Sequence, residues 1–264
     1  MPYRFAWALD QTGPLARSAF HHLLDCLTTI NANYLRAHPE APTLAASKVQ
    51  YLPEPIGQDD WQDIPTTIYL ATGDAEDLVT WRAAEIRVRE NVNARAVVLP
   101  NGRLVVQRPD GRVEDILPPN AAAVVIGDLL RRVIFRLDLF NGPWEMELSR
   151  KALDAMLRAL FRIDVDYLRA NPGTPGIYQA GMDYREEPMG QEEWQDIPTC
   201  LKMRLLDCED AACWRAAEIL VREGRDAKPF FSESKRPNGG VLFHIRTVDA
   251  QGRVEDPSYH LGMR

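Results

Sequence analysis

At 264 residues the chain can fold as one large domain or as two of ~130 residues, each with a core of its own. It is 45% hydrophobic and 26% charged, as soluble globular proteins are, and its formal net charge of -7 argues against broad binding to nucleic acid or anionic membrane. No apolar run approaches the ~18 residues that span a bilayer, and MPYRFAWALDQTG lacks the basic-then-apolar order of a secretory signal, so a cytoplasmic protein is expected.

The elements come twice. Tyr3–Trp7 alternates as a strand, and a helix over about 14–37 ends at His38-Pro39. A Pro-rich stretch leads to WQDIPT at 61–66. A second helix starts near Asp74 and carries WRAAEI at 81–86, and a hairpin turns at Asp110-Gly111. Pro118-Pro119-Asn120 and the apolar residues to about Arg132 connect to the second round. There Phe135–Leu139 is the strand, about 147–170 the helix ended by Asn171-Pro172, and WQDIPT returns at 194–199. WRAAEI returns at 214–219, and the last hairpin turns near Gln251-Gly252.

The matches are collinear. Tyr-Leu-Arg-Ala at 34–37, WQDIPT, WRAAEI and Val-Arg-Glu at 88–90 recur with a shift of 133, and GRVED at 111–115 with a shift of 141, because the second copy has eight more residues before it. This is a tandem duplication. The expected organisation is a first copy at 1–117, a connection at 118–133 and a second copy at 134–264. In the second WRAAEI helix, Cys213, Trp214, Ala217, Leu220 and Val221 form an apolar stripe expected to pack on a sheet. Glu218–Arg222 and Glu85–Arg89 are spaced as i,i+4 ion pairs.

Where the copies differ, one has chemistry the other lacks. Cys208, in Asp207-Cys208-Glu209-Asp210, lies over Ala75, in Asp74-Ala75-Glu76-Asp77. His244 has no histidine partner, since the first copy holds none after His38, whereas Asp256 matches Asp115. A thiol is a useful nucleophile only as thiolate, and a free cysteine of pKa ~8.5 is mostly protonated at neutral pH. Asp207 is a good N-cap, which puts Cys208 in the first helical turn, where the dipole favours an anion. Glu209 and Asp210 oppose that, so a cationic His244 is needed. Asp256, past the next turn, could accept from the imidazole and fix its tautomer. Taken singly, each residue has a structural role open to it; their order and their joint absence from the first copy give nucleophile Cys208, base His244 and orienter Asp256.

A cysteine opening a helix, a histidine on a strand and an aspartate beside a proline on the next strand resembles the transglutaminase-like superfamily. The resemblance is closest to small bacterial and phage-encoded members with a GDCEDLAAWRAAEL-like segment and a terminal EDPS…LGM. Here these read LDCEDAACWRAAEI at 206–219 and EDPSYHLGM at 255–263. Leu206 stands where that pattern has glycine, which Gly73 keeps in the first copy, and the His-to-Asp interval is short. The resemblance covers about 160–264 well and 27–117 as a degenerate copy. It implies an α+β fold of two tandem papain-like domains, helices against antiparallel sheet. It also implies a cysteine hydrolase or acyltransferase acting on a peptide or glutamine-type amide through a Cys208 thioester. The Cys208 N–H is one expected oxyanion donor, and Gln191, Trp194 and Gln195 are candidates for another.

No cofactor or metal is expected: the spacings of Cys200, Cys208 and Cys213 with His244 fit no common zinc pattern. The expected partner is a peptide or protein substrate, with no nucleic acid and no membrane. The first copy would dock on the second or on a protein partner. The alternative to an enzyme is a non-catalytic binding or assembly module with a vestigial site.

Overall fold

The computed structural model describes residues 3–54, 59–124, 133–138, 145–187, 192–235 and 241–263. The fold is mixed α and β, with seven α-helices and several small sheets among the described residues. Contacts divide the chain into two compact units, one of residues 1–7 and 20–155, the other of 8–19 and 156–264.

In the first unit, β1 (Tyr3–Ala8) pairs antiparallel with β8 (Val133–Leu137), Phe5 opposite Phe135, and β3 (Asp60–Gln62) pairs parallel with β8 on the other side. The alternation that makes 3–7 a strand turns Phe5 and Trp7 inward. Trp7 and Trp61 both pack on Phe135, with ring centroids 5.4 and 5.6 Å away, and Phe20 meets Trp61 edge-on at 5.2 Å. Helix α1 (Gly13–Ala37) stops at the residue before His38-Pro39, as the X-Pro step requires. Helix α2 (Ile64–Leu70) opens with Asp63 as N-cap and Pro65 in its first turn, and closes at Ala71 in the left-handed region. Helix α3 (Ala75–Arg89) begins with a capping box in which Asp74 accepts from the Glu76 and Asp77 N–H groups. It packs on an antiparallel meander of β5 (Arg95–Val98), β6 (Leu104–Gln107) and β7 (Val113–Glu114). β2 (Gln50–Tyr51) and β4 (Thr72–Gly73) form a short parallel ladder.

The second unit repeats these parts. Helix α4 (Glu145–Ala170) stops before Asn171-Pro172; β9 (Asp183–Tyr184) pairs parallel with β11 (Leu205–Leu206). β10 (Glu192–Gln195) leads into α5 (Ile197–Met203), and α6 (Cys208–Arg222) packs on β12 (Ala227–Lys235), β13 (Val241–Asp249) and β14 (Val254–Glu255). The chain then makes α7 (Pro257–His260). β12 and β13 have nine residues each where β5 and β6 have four, so the eight extra residues lengthen this hairpin.

The repeat in the sequence and the compact units of the fold run on different boundaries. In the first unit the α2 cap Asp63 accepts from the Thr66 N–H at 3.0 Å and from the Asp138 N–H at 2.9 Å. In the second, the α5 cap Asp196 accepts from the Asp10 N–H at 3.1 Å and the Gln11 Nε2 at 2.9 Å. Each buried cap carboxylate therefore takes donors from the lead segment of the other sequence copy. The same-shift pair Asn31 and Asp164 behaves alike: each accepts the first N–H of the IPT helix, from Ile64 at 2.9 Å and Ile197 at 3.0 Å.

Two sequence expectations need correction. Helix α6 does pack on β12 and β13, but Cys213, Trp214 and Ala217 are fully buried on another side: Trp214 and Ala217 cluster with Val165 and Leu168 of α4 and with Ile177 and Ile197, and the Cys213 thiol points to the Leu157 carbonyl at 3.6 Å. The sheet meets a different face, where the Thr247 hydroxyl donates to the Ala212 carbonyl at 3.0 Å. A helix buried on both sides is possible because Ala211, Ala212, Ala216 and Ala217 allow close approach. Glu218–Arg222 forms at 3.2 Å, whereas Glu85 and Arg89 part company. Glu85 accepts from the Leu44 N–H and pairs with Arg82, while Arg89 donates to the Ala41 carbonyl at 2.6 Å. Leaving backbone donors and acceptors unmet costs more than an i,i+4 ion pair contributes.

Candidate active site

Cys208 is the first residue of α6, placed there by the Asp207 cap, with the Asp207 N–H directed back at Asp210 Oδ2, 3.5 Å away. The thiol is partly buried, and the N–H of Ile245, the residue after His244, donates to its sulfur. This contact brings the helix start against strand β13. His244 lies opposite Ser232 in the β12–β13 ladder and is 12% exposed. Its Nε2 is 2.8 Å from Asp256 Oδ2. Asp256 is itself fixed as the N-cap of α7, its other oxygen accepting from the Tyr259 N–H at 3.2 Å, and Arg246 Nε approaches it at 3.8 Å. With Nε2–H donated to the carboxylate, Nδ1 carries the lone pair available to a thiol proton.

The electrostatics of the thiol differ from the sequence expectation. Burial, then the charges of Glu209 and Asp207, push it well above its ordinary value, with the Ile245 N–H pulling the other way. The thiol lies 3.4 Å from Glu209 Oε2, placed to donate to it. Both the burial and the Glu209 contact favour the protonated thiol. The helix dipole does not overcome the acids of the first turn, which the fold buries along with the sulfur.

Those acids belong to a larger group. Burial lifts Glu187 to about 8 and Glu192 to about 7, and carries Asp207 and Asp210 well above their ordinary range. Donor atoms of Glu187, Asp207 and Glu209 lie within 4.8 Å of one another, a spacing at which a cation could be held. Glu54, Asp59, Asp74, Glu76 and Asp77 occupy the corresponding positions of the first copy, where burial raises Asp59 to about 7 and Glu76 to about 8. The sequence carries this signal in five acids that recur at the shift of 133, two of them, Glu187 and Glu192, beyond the three that flank Cys208.

The remaining candidates fall as follows. Gln191 lies outside the described residues. Trp194 is 2% exposed and belongs to the core, which removes it from an open cleft. The Gln195 N–H is taken by Asp210 Oδ1 at 2.8 Å, so only its side chain, with a buried Oε1 lacking a hydrogen-bond partner, remains for an oxyanion or substrate. Cys200 and Cys213 are buried, and burial holds both thiols far above their ordinary value. Replacing Cys213 by alanine is expected to cost ~1 kcal/mol for the small cavity and to leave thiol chemistry intact. Chemical denaturation and alkylation of Cys208 check this, and a loss of reactivity as large as that of Cys208→Ala would mean that Cys213 carries the chemistry.

The first unit shows what fills this place without a cysteine. Val106 pairs with Glu114 as Thr247 pairs with Glu255, so the strand register carries Arg103 to the His244 position and Asp115 to that of Asp256. Arg103 Nε meets Asp115 Oδ2 at 2.8 Å, holding that carboxyl below its usual range. Ala75 opens the helix where Cys208 does. Ala75 leaves no thiol there, and an arginine, a cation that does not titrate, stands where the second unit has His244 and keeps the carboxylate partner. No family model matches the chain, and no curated protein or solved structure matches it.

Proposed function

We propose that the second unit performs thiol-dependent acyl chemistry on a peptide or glutamine-type amide, as the transglutaminase-like resemblance implies. In this reading both units are papain-like domains, the first without nucleophile or base, in a cytoplasmic enzyme. The observation that carries it is the His244–Asp256 pair at 2.8 Å, beside a helix-opening Cys208 whose sulfur takes the N–H of the residue following that histidine.

The steps follow from the groups present. Substrate entry turns the S–H from Glu209 to His244 Nδ1, which takes the proton as the sulfur attacks the carbonyl carbon. The C–O π pair moves to oxygen, and the Cys208 N–H in the first helical turn is the nearest fixed donor for that oxyanion. Collapse breaks the C–N bond, with the imidazolium giving its proton to the departing amine, and leaves a Cys208 thioester. Water activated by His244 releases a carboxylic acid and the free thiol; an amine in its place yields a new amide. A raised thiol pKa suits this order, since the proton leaves only when the imidazole is positioned to receive it.

The same high thiol pKa favours a second reading, a binding or assembly module with a vestigial site. Turnover of peptide and glutamine-donor substrates by the full chain and by Cys208→Ala separates the two. Release of amine or ammonia that vanishes in Cys208→Ala supports catalysis; a Cys208 inert toward substrates and toward electrophiles at neutral pH supports the module.

A further inference from the structure

The first unit, which has no nucleophile, holds a stretch of main chain against its Arg103 site. The Arg103 guanidinium donates to the carbonyls of Leu117 and Pro118, each at 2.8 Å, and of Ala121 at 3.2 Å. Burial raises the Tyr51 phenol, and a hydrogen bond from the Ala122 backbone opposes that rise, as a donated N–H does. The Val124 N–H donates to the Gly102 carbonyl at 2.8 Å. Gly102 has φ +81°, and a Cβ there would come within 2.9 Å of the Ala123 Cβ and 3.0 Å of the Val124 oxygen, so glycine is what lets the segment lie this close. Residues 121–124, Ala-Ala-Ala-Val, are thus held through their main chain, by the residue in the base position and by a tyrosine.

That tyrosine is kept in the second unit. Tyr51 pairs with Gly73 in the β2–β4 ladder, and Tyr184 pairs with Leu206 in the β9–β11 ladder. Each partner lies two residues ahead of the residue that opens the helix, Ala75 or Cys208. Tyr184 is half-buried, and after burial itself the largest influence on its phenol is Cys208. The ladder thus sets Tyr184 beside the residues that lead into Cys208, close enough for the thiol to act on the phenol.

We propose that Tyr184 binds the main chain of a peptide substrate in the second unit, its hydroxyl oxygen accepting a substrate N–H as Tyr51 accepts that of Ala122. The substrate class is then a peptide of small residues read through its backbone, and a glutamine-type side-chain amide would be used only as part of such a chain. This rests on Cys208 being the nucleophile.

The test compares two chlorides that trap Cys208 by the same displacement, C–S forming as C–Cl breaks and the thiol proton passing to His244. One is acetyl-Ala-Ala-Ala chloromethyl ketone and the other is chloroacetamide, which has no peptide to hold. In the full-length chain, Tyr184→Phe is expected to slow the peptidyl reagent about tenfold, the effect of one lost hydrogen bond. The rate with chloroacetamide, and its dependence on pH, should stay at the wild-type values, which also shows the variant folded. An unchanged ratio of the two rates overturns the role of Tyr184, and so does an equal fall with both reagents, which marks a structural tyrosine. Cys208 untouched by either reagent in the wild type instead removes the nucleophile, and with it both readings.

Discussion

His244→Ala is expected to lose nearly as much turnover as Cys208→Ala, and the double variant to be barely worse than either. The reason lies in how the proton must travel. In the proposed mechanism the thiol, raised by burial and by Glu209 and Asp207, gives its proton to the imidazole once substrate is in place. Groups that act as one unit give losses that do not add, and losses on the order of 10⁴-fold or more are usual when either member of such a pair goes. Asp256→Asn should lose less. Asparagine still caps α7, and its carbonyl oxygen still accepts from Nε2–H, so the ring keeps its tautomer but loses the negative charge that stabilises the imidazolium. Single-turnover rates of acyl transfer for the four proteins decide this. Independent losses that multiply in the double variant would mean that Cys208 and His244 do not share a step.

The second large effect is on stability. Burial raises Asp59 and Asp63 to about 7, Glu76 to about 8 and Asp196 to about 6, and carries Asp164 well above its ordinary range. For a carboxyl whose folded pKa exceeds its unfolded value, the folded chain binds more protons between the two values. Its contribution is whole below the unfolded pKa of about 4 and is lost as pH rises through the folded pKa. The exposed carboxyls that arginines lower, such as Asp115 and Glu90, work in the other direction but only near and below pH 4. Melting temperature should therefore fall between pH 5.5 and pH 8.5. For a fully buried group, each tenfold change in proton affinity on folding amounts to about 1.4 kcal/mol. At roughly 2–4 °C per kcal/mol, the fall should be on the order of 5 °C or more. Asp164→Asn supplies the control, because the first copy already has Asn31 there with the same bond to the following helix. That variant should melt higher than wild type at pH 8.5 and show a shallower fall. A melting temperature that rises across this range would show that the buried acids are ionised in the fold.

Much of this is legible in the sequence because local chemistry repeats. Asp-Ala-Glu-Asp and Asp-Cys-Glu-Asp both read as caps, and both open helices at the next residue. His38-Pro39 and Asn171-Pro172 stop helices where X-Pro steps must. The order Cys208, His244, Asp256 places one residue on a helix start, one on a strand and one after a turn, and the His–Asp bond forms. What escapes the sequence is set by distance along the chain or by length change. Asp196 is capped from Gln11, 185 residues away, and no local pattern announces such a donor. Arg103 matches His244 only once the hairpin ladders are in register, since the eight extra residues break the alignment just before it. The stripe on α6 points to a sheet only because a one-sided pattern cannot tell a helix partner from a sheet, and alanines hide the second buried face. The raised thiol pKa depends on how deeply the sulfur itself is buried, beside Glu209 and Asp207, which spacing does not reveal.

The most direct test of a working Cys208–His244 pair is the rate of Cys208 alkylation by chloroacetamide followed against pH in wild type and in His244→Ala. With the imidazole present to take the proton, wild type should react with a midpoint below that of the isolated buried thiol. In His244→Ala the acceptor is gone while Glu209 and Asp207 remain, so the midpoint should move to higher pH. The same midpoint in both proteins would mean that His244 does not share the proton of Cys208, and would contradict the assignment of this site to thiol acyl chemistry.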